Sequence, residues 1–284
     1  MPEPPAALGC LIDEGAASLR RCGVAEPRRE AVRIWADIHQ GGAAEVHLRR
    51  DLPVATGSAA HFQSAILRRC GGEPVAHVTG WSGFRRLWLR SDRRALIPRP
   101  ETEGLVDLIL QLVRSGTVAD VGTGTGCIAL SLAHEGGFDH IVAVDCSSDA
   151  LKLARANREL VGGPVTLVQA DLCASFRPGT LDALVSNPPY LSAAEYSSLD
   201  HSVLNWEPAL ALLSGEDGME ATFRLLVEGR EVLREGGWLA LEVDSSRAAM
   251  AARRACELGW GDVAVQVDLF GRERYLLARR SNAS

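Results

Sequence analysis

The chain has 284 residues and a formal net charge of −6, and 46% of its residues are hydrophobic. This ordinary composition excludes a disordered or fibrous protein, and the length allows about two domains. The seven cysteines are scattered without a CxxC pair, which argues against a zinc site or a disulfide framework. No apolar run approaches the roughly 20 residues that span a bilayer, and residues 1–5 lack the features of a secretory signal. We therefore expect a cytoplasmic protein without a metal site.

Charge is distributed unevenly along the chain. Residues 1–103 carry 15 basic and 12 acidic residues, whereas the remainder carries 15 basic and 24 acidic residues. Nucleic acids bind clustered cations, so the acidic C-terminal part argues against a stable complex with DNA or RNA. The arginine pairs of the N-terminal part are interpreted as solvated helix faces.

The N-terminal 72 residues have the periodicity of short helices. Apolar residues recur at helical spacing over residues 8–19, and Pro27 suits the first turn of a second helix. Two further helices are predicted, one at 43–50 and one from Thr56 onward. We therefore predict a small helical domain at residues 1–72.

A change of character follows at residues 73–96, where apolar residues alternate with glycines and arginines. This pattern predicts a β-hairpin that links two domains. Pro98 and Pro100 come next, and because proline fixes φ and lacks an N–H group, they predict an extended segment. The following helix is predicted to begin near Glu101.

From Thr117 onward, short apolar strands alternate with helical patterns. This alternation predicts an α/β fold, with right-handed crossovers and a mostly parallel sheet covered on both faces. The segment 268–272 between the last two strands is too short for a crossover, so those strands are predicted to pair antiparallel. The predicted strands are 117–121, 141–144, 165–169, 184–186, 238–243, 263–267 and 274–278. The predicted helices are 127–134, 149–161, 219–233 and 246–258.

Three successive strands of this sheet end in residues suited to a nucleoside, and ligands bind at such strand ends. The first strand ends in a turn formed by Gly122, Thr123, Gly124, Thr125 and Gly126. The second ends in Asp145, whose carboxylate suits two ribose hydroxyls. The third ends in Asp171 and Leu172, where a carboxylate suits a hydrogen bond from the exocyclic amine of an adenine. Taken alone, each aspartate is better explained as a helix N-cap or an acidic residue of a loop. Together they predict a nucleoside site without a pyrophosphate, for which S-adenosylmethionine is the leading candidate.

The fourth strand ends in the most specific motif of the chain, Asn187-Pro188-Pro189-Tyr190. The two prolines remove two N–H donors, so the carbonyl groups and the Asn187 oxygen remain as acceptors beside the Tyr190 ring. This arrangement suits a planar NH₂ group, which donates two hydrogens while its π system stacks. When such a nitrogen attacks a sulfonium methyl group, the acceptors stabilise the positive charge that develops. We predict that Asn187, Pro188 and Tyr190 are catalytic.

These motifs resemble those of the class I S-adenosylmethionine-dependent methyltransferases. More narrowly, the chain resembles the HemK family, the glutamine methyltransferases of peptide chain release factors. Segments that carry the narrower resemblance are 73–80, 97–103, 207–210, 215–218 and 268–274. The resemblance implies a Rossmann-like domain with a seven-stranded sheet at 97–284, preceded by a hairpin linker at 73–96 and a helical substrate-recognition domain.

The activity implied by this resemblance is transfer of a methyl group from S-adenosylmethionine to a glutamine side-chain amide. The glutamine is that of the Gly-Gly-Gln motif of peptide chain release factors, and the enzyme is expected to act as a monomer. The resemblance implies that the glycine-rich turn wraps the methionine part of the cofactor, that Asp145 binds its ribose, and that Asp171 and Leu172 border its adenine.

The resemblance also implies that residues 187–190 hold the substrate amide and that Asn187 borders the cofactor, which the segment 99–102 covers. The chain departs from the family pattern at Leu172, where relatives often carry an aromatic residue. It departs again at Asp244 and Arg247.

Other functions remain open at this point. Methylation of a glutamine on a ribosomal protein fits the same motifs, and adenine N6 methylation of nucleic acid makes the same geometric demand but requires a basic groove. A non-enzymatic scaffold would not need both the glycines and the Asn-Pro-Pro-Tyr motif. Hydride transfer ranks last, because Cys127 occupies the third glycine position of the nicotinamide fingerprint.

Overall fold

The computed structural model describes residues 6–281, so the prediction for residues 1–5 lies outside the described part. By its internal contacts, the chain divides into two compact units. One holds the chain up to Trp81 together with Asp200–Trp206, and the other holds Ser82–Leu199 and the chain from Glu207 onward. Among the helices of residues 6–281, none is long and apolar enough to cross a membrane. The boundaries at residues 72 and 96 stay a prediction.

The first unit is helical, as the sequence predicts. Each main helix buries one apolar stripe, and in the first helix this stripe includes Leu8, Leu11, Ile12 and Leu19. The helices are α1 (Leu8–Arg21), α2 (Pro27–Ile38), α3 (Ala43–Leu48), α4 (Thr56–Cys70) and α5 (Val75–Thr79).

Helix α5 lies where the sequence predicts part of a hairpin, so the prediction of extended structure before Gly80 is wrong. The guanidinium of Arg68 donates to the carbonyls of His77 and Val78 at 3.0 and 3.1 Å and also binds the Glu73 carboxylate. These bonds fold the chain back against α4. The hairpin itself begins only after this turn and consists of β1 (Trp81–Phe84) and β2 (Leu87–Arg90).

The second unit contains a seven-stranded sheet with the order β5-β4-β3-β6-β7-β9-β8. Its strands are β3 (Thr117–Val121), β4 (His140–Asp145), β5 (Val165–Gln169), β6 (Leu181–Ser186), β7 (Leu233–Glu242), β8 (Gly261–Val267) and β9 (Glu273–Arg279). The first five strands of this order pair parallel, whereas β9 pairs antiparallel with both of its neighbours. The predicted α/β fold and the antiparallel closing pair are therefore confirmed.

Strand β7 begins before its predicted start at residue 238. The chain continues as a strand through Gly236, which has φ of 76°, and the pairing with β6 shifts register between Leu181 and Ala183. Two adjacent glycines, Gly236 and Gly237, usually mark the end of a regular element. The predicted strand therefore begins after them, whereas the structure has an irregular strand there.

Helices cover both faces of the sheet. The helices that follow the hairpin in the chain are α6 (Glu103–Leu112), α7 (Cys127–Glu135), α8 (Ser148–Val161), α9 (Ala193–Ser197), α10 (His201–Leu204), α11 (Glu220–Val232) and α12 (Ala248–Glu257), of which α10 belongs to the first unit. One buried cluster includes Val118 with residues of α6 and α7, and the other includes Ala119 and Val121 with residues of α11 and α12. Successive residues of a strand point to opposite faces, so β3 contributes to both clusters.

The order of the strands reverses at β3, which lies between β4 and β6. Such a switch point leaves a crevice at the carboxyl ends of the two flanking strands, because their following helices lie on opposite faces. The segments that follow β3, β4, β5 and β6 therefore meet at one edge of the sheet.

Asn157 of α8 connects three segments of the second unit near this edge. Its Oδ1 accepts from the backbone N–H of Arg90 at 2.7 Å, and its Nδ2 donates to the carbonyls of Arg90 and Thr125 at 3.1 and 2.9 Å. The side chain is fully buried, so Asn157→Ala leaves buried backbone groups without partners. We expect the free energy of unfolding to fall by about 3 kcal/mol.

Urea denaturation of the whole protein measures this change. The matched control is Arg155→Ala, at an exposed position of the same helix, which should change the free energy of unfolding by less than about 0.5 kcal/mol. Equal stability of the two variants would contradict the role given to Asn157.

Candidate active site

The glycine-rich turn after β3 presents backbone at the edge of the sheet. Gly122 and Gly124 have φ of 73° and 56°, in the left-handed region that favours glycine. The N–H groups of Gly122 and Thr123 donate to the carbonyl of Val144 at 2.8 and 2.9 Å, which ties the turn to β4. A Cβ atom at Gly124 would have the Cβ of Ala95 as a neighbour at 3.7 Å. The backbone of this turn is therefore open to a ligand.

Asp145, at the end of β4, holds the turn in place. Its Oδ2 accepts from the N–H of Gly124 at 2.9 Å, and its Oδ1 accepts from the N–H of Ser147 at 2.9 Å. Burial raises the pKa of the Asp145 carboxyl, and these N–H groups oppose the rise. Each carboxylate oxygen has a second lone pair, so Asp145 is able to accept two further hydrogen bonds.

Asp120 lies fully buried beneath the same turn. Its Oδ2 accepts from the Thr123 hydroxyl at 2.6 Å and from the N–H of Ala129 at 3.1 Å. Its Oδ1 is buried and has no hydrogen-bond partner among the described residues. Burial raises the pKa of Asp120 to about 7 despite these two bonds, and the neighbouring Asp145 adds to the rise.

Asp171 and Leu172 follow β5. The carboxylate of Asp171 is largely exposed and forms an ion pair with Arg224 at 2.9 Å. Leu172 has φ of 44°, an uncommon conformation for a residue with a side chain. Both residues lie at the edge of the sheet, together with Arg224.

Asn187 is oriented by residues from two other parts of the chain. Its Nδ2 donates to the hydroxyl oxygen of Thr102 at 3.0 Å, and that hydroxyl donates to Oε2 of Glu242 at 2.7 Å. Burial raises the pKa of Glu242 to about 7, whereas the Thr102 hydrogen bond and the charge of Arg274 oppose the rise. Because Nδ2 faces Thr102, the Oδ1 atom of Asn187 is directed away from it.

The proline-rich segment before α6 is fixed by a buried acid. Glu207 accepts from the N–H of Ile97 at 3.1 Å and from the Arg99 guanidinium at 2.6 Å, and only 2% of its side chain is exposed. The Tyr275 hydroxyl donates to the carbonyl of Glu101 in the same segment. These bonds fix a segment that lacks regular secondary structure up to Pro100.

A cavity of about 300 Å³ lies along the carboxyl ends of β3, β4, β5 and β6. The predicted site residues that line it are Gly122, Thr123, Gly124, Thr125, Asp145, Asp171, Leu172, Asn187 and Pro189. Of the described residues predicted for the site, Gly126, Pro188 and Tyr190 do not line it. Gly126 packs against Leu130 and Ala154, and Pro188 is buried, whereas Tyr190 is half-buried. The roles of these three residues stay predictions.

Sequence reasoning missed the roles of three buried acids, Asp120, Glu207 and Glu242. Two of them carry a signal in the sequence, because Asp120 and Glu242 lie in predicted strands that are otherwise mostly apolar and a buried carboxylate requires partners. The partners of Glu207 and Glu242 are distant in the chain, however, and only the fold reveals them.

Arg247, at which the chain departs from the family pattern, connects two other segments of the chain. Its guanidinium donates to the carbonyl of Asp217 at 2.8 Å and to Glu195 at 2.6 Å, and Asp244 lies 3.6 Å away. Glu195 also completes the capping box of α9 with Ser192, and these bonds lower its pKa to about 2. Arg247 therefore fixes the segment that follows Tyr190.

Comparisons with known proteins agree with this architecture. Residues 11–80 match the PrmC N-terminal domain, and residues 101–205 match the Methyltransferase small domain. A methyltransferase from Pyrococcus furiosus has a similar structure, with a TM-score of 0.53 and 20% identity over 68% of this chain and 89% of that one. The hMettl16 catalytic domain has a TM-score of 0.55 and 16% identity over 81% and 83%. The fold is that of a class I methyltransferase.

Relatives in sequence are closer. A release factor glutamine methyltransferase of Deinococcus radiodurans is 38% identical over 95% of this chain and 98% of its own length. One from Moorella thermoacetica is 38% identical over 95% and 97%, and one from Streptomyces coelicolor is 35% identical over 96% and 99%. The chain belongs to the release factor glutamine methyltransferase family, which confirms the resemblance identified from the sequence.

The raised pKa of Asp120 generates a prediction for stability. The ordinary pKa of this group is 3.8, and in the folded protein it is about 7, so between these values the folded state holds a proton that the unfolded state releases. The contribution of Asp120 to stability is therefore present at low pH and lost as the pH rises toward 7. Asp120→Asn, which does not titrate, removes this loss.

Urea denaturation of both proteins at about pH 5 and about pH 8 measures the difference. We expect the free energy of unfolding of the variant relative to wild type to rise by about 2 kcal/mol between the two pH values. A difference that stays constant with pH would contradict the raised pKa.

Proposed function

We propose that this protein transfers a methyl group from S-adenosylmethionine to the side-chain amide nitrogen of the glutamine in the Gly-Gly-Gln motif of peptide chain release factors. When bound, S-adenosylmethionine supplies an electrophilic methyl group on a sulfonium. The observation that carries the proposal is the orientation of Asn187, whose Oδ1 is free to accept because its Nδ2 donates to Thr102. The relatives in sequence bear the name release factor glutamine methyltransferase, which agrees with this proposal.

The residues at the cavity fit S-adenosylmethionine. The open backbone of Gly122 and Gly124 leaves room for the methionine part, and Asp145 has free lone pairs for two ribose hydroxyls. Asp171 and Leu172 would border the adenine, as the sequence predicts.

Asn187 would position the nucleophile. An amide nitrogen is a weak nucleophile because its lone pair is delocalised into the carbonyl, so its orientation toward the methyl group matters. The Oδ1 of Asn187 and the carbonyl of Pro188 would accept its two hydrogens, which turns the nitrogen toward the glycine turn. As the nitrogen takes the methyl group from the sulfur, positive charge develops on it and these fixed acceptors stabilise that charge, and the nitrogen then releases one proton to solvent. Pro189 and Tyr190 would pack against the same amide.

The helical unit would recognise the body of the release factor, and the enzyme would act as a monomer in the cytoplasm. The match of residues 11–80 to the PrmC N-terminal domain supports this division of labour. A ribosomal protein or an adenine base remains the competing substrate class. Incubation with labelled S-adenosylmethionine and either a purified release factor or a whole-cell lysate, followed by mass spectrometry of the labelled peptide, tests the proposal.

A methyl group on the Gly-Gly-Gln glutamine is the expected result. Label on another protein, or on nucleic acid, would overturn the assignment. The substrate variant in which that glutamine is replaced by alanine serves as the control and should take up no label.

Asn187→Ala should separate catalysis from cofactor binding. Loss of one preorganised acceptor lowers kcat by roughly 100-fold or more, whereas the affinity for S-adenosylmethionine, measured by calorimetry, should change little. The control is Asn205→Ala, at an exposed asparagine of the other unit. Normal turnover by Asn187→Ala would show that Asn187 does not position the nucleophile.

Asp145→Asn should have the opposite effect, because it should weaken cofactor binding rather than slow the methyl transfer. It replaces one carboxylate oxygen by a donor, so a ribose hydroxyl loses a charged acceptor and Kd rises by roughly 10-fold or more. Asp149→Asn is the matched control, because Asp149 is an exposed carboxylate in the first turn of α8. If both variants bind the cofactor equally well, Asp145 does not hold the ribose.

A further inference from the structure

A chain of two hydrogen bonds runs from the cavity into the interior of the second unit. Asn187 donates through Nδ2 to Thr102, and Thr102 donates to Glu242, with donor–acceptor distances of 3.0 and 2.7 Å. Thr102 is 3% exposed and Glu242 is 1% exposed, so water does not compete for either group. The proposed function involves the outer end of this chain and leaves the inner end without a role.

We propose that Glu242, acting through the single proton of Thr102, determines which end of the Asn187 amide faces the cavity. Thr102 and Glu242 are positioning residues, because neither needs to touch the reacting atoms. The inference rests on the proposed function and names the device that keeps Asn187 in its accepting orientation.

The direction of the chain follows from the number of protons. An ionised carboxylate only accepts, so Thr102 must give its one hydroxyl proton to Glu242. The hydroxyl oxygen then has only lone pairs left for Asn187, and the amide must turn its NH₂ group toward it. The Oδ1 atom consequently faces the cavity, which is the orientation that accepts a substrate N–H.

Protonation of Glu242 removes this constraint. A neutral carboxylic acid is able to donate its proton to the Thr102 oxygen, and the Thr102 proton is then available to Oδ1 of Asn187. The amide turns over and presents its NH₂ group to the cavity. Two NH₂ groups that face each other cannot form a hydrogen bond, so the substrate amide loses an acceptor.

Groups around Glu242 allow this change near neutral pH. Burial raises the pKa of its carboxyl to about 7, and Glu101 adds to the rise, whereas Arg274 and Arg99 oppose it. The phenols of Tyr190 and Tyr275 also face it, and the pKa of each is raised to about 12, so both stay neutral. The Asn187 amide is therefore free to turn below about pH 7 and is held in the accepting orientation above it.

The first test is the dependence of kcat on pH, with the release factor and S-adenosylmethionine both saturating. In the wild type, kcat should rise with an apparent pKa of about 7. Glu242→Gln should flatten this rise and lower kcat several-fold at about pH 8, because a neutral amide either donates to or accepts from Thr102. The matched control is Glu235→Gln, at an exposed position of the same strand, which should keep the wild-type profile.

Thr102 supplies a second pair of variants. Thr102→Val keeps the shape of the side chain but removes the hydroxyl, so kcat should fall about 10-fold above about pH 7 and lose its rise with pH, while KM for the release factor changes less. Thr102→Ser restores the hydroxyl and should recover both kcat and its pH profile. Full activity of Thr102→Val, or a pH profile of Glu242→Gln identical to that of wild type, would overturn the inference.

A measurement without turnover separates this inference from the proposed function. The side-chain NH₂ resonances of Asn187 in a ¹⁵N correlation spectrum are identified by their absence in Asn187→Ala. In the wild type they should shift with a midpoint near pH 7, and in Glu242→Gln they should not shift there. A resonance that is independent of pH would refute the coupling, whereas a normal titration without methylation of release factors would refute only the proposed substrate.

Discussion

Parallel pairing of β3 with β6 is the interaction on which the site depends. The pairs run from Val118 with Ala183 to Val121 with Ser186, at the last residue of each strand. The Ser186 hydroxyl donates to the carbonyl of Val121 at 2.6 Å and is fully buried. Since both strands end in register, the glycine turn and the segment Asn187-Pro188-Pro189, here called the Asn-Pro-Pro corner, begin side by side. A shift of this register would move the two segments apart. Because each contributes only part of the site, the site would then be lost.

The order of the elements and most of the site could be predicted from the sequence. Alternating apolar strands and helices define a parallel sheet, and residues at the carboxyl ends of its strands meet at one edge by geometry alone. For this reason Gly124, Asp145 and Asn187 could be placed together before the fold was known, and the cavity contains all three. The N-terminal helices were predictable because each has an apolar stripe with a helical period.

Contacts between distant residues could not be predicted in the same way. Thr102 and Glu242 are 140 positions apart, and Ile97 and Glu207 are 110 apart. Periodicity reports only which face of an element is buried, so it does not indicate which side chain meets which across the fold. The turn at residues 73–80 was misjudged for a related reason, because its helix depends on hydrogen bonds from Arg68 that no local propensity contains.

The two prolines at 188 and 189 also determine which side chains the corner accepts. A segment without N–H groups offers only oxygen lone pairs. The ionised Glu242, through Thr102, likewise keeps the oxygen of the Asn187 side chain toward the substrate. A glutamate carboxylate likewise presents only lone pairs, so repulsion would exclude it from the position of a glutamine amide. On the proposed function, a release factor that has lost ammonia from this glutamine would be rejected. The enzyme would thereby distinguish an intact amide from its hydrolysis product without any contact dedicated to that purpose.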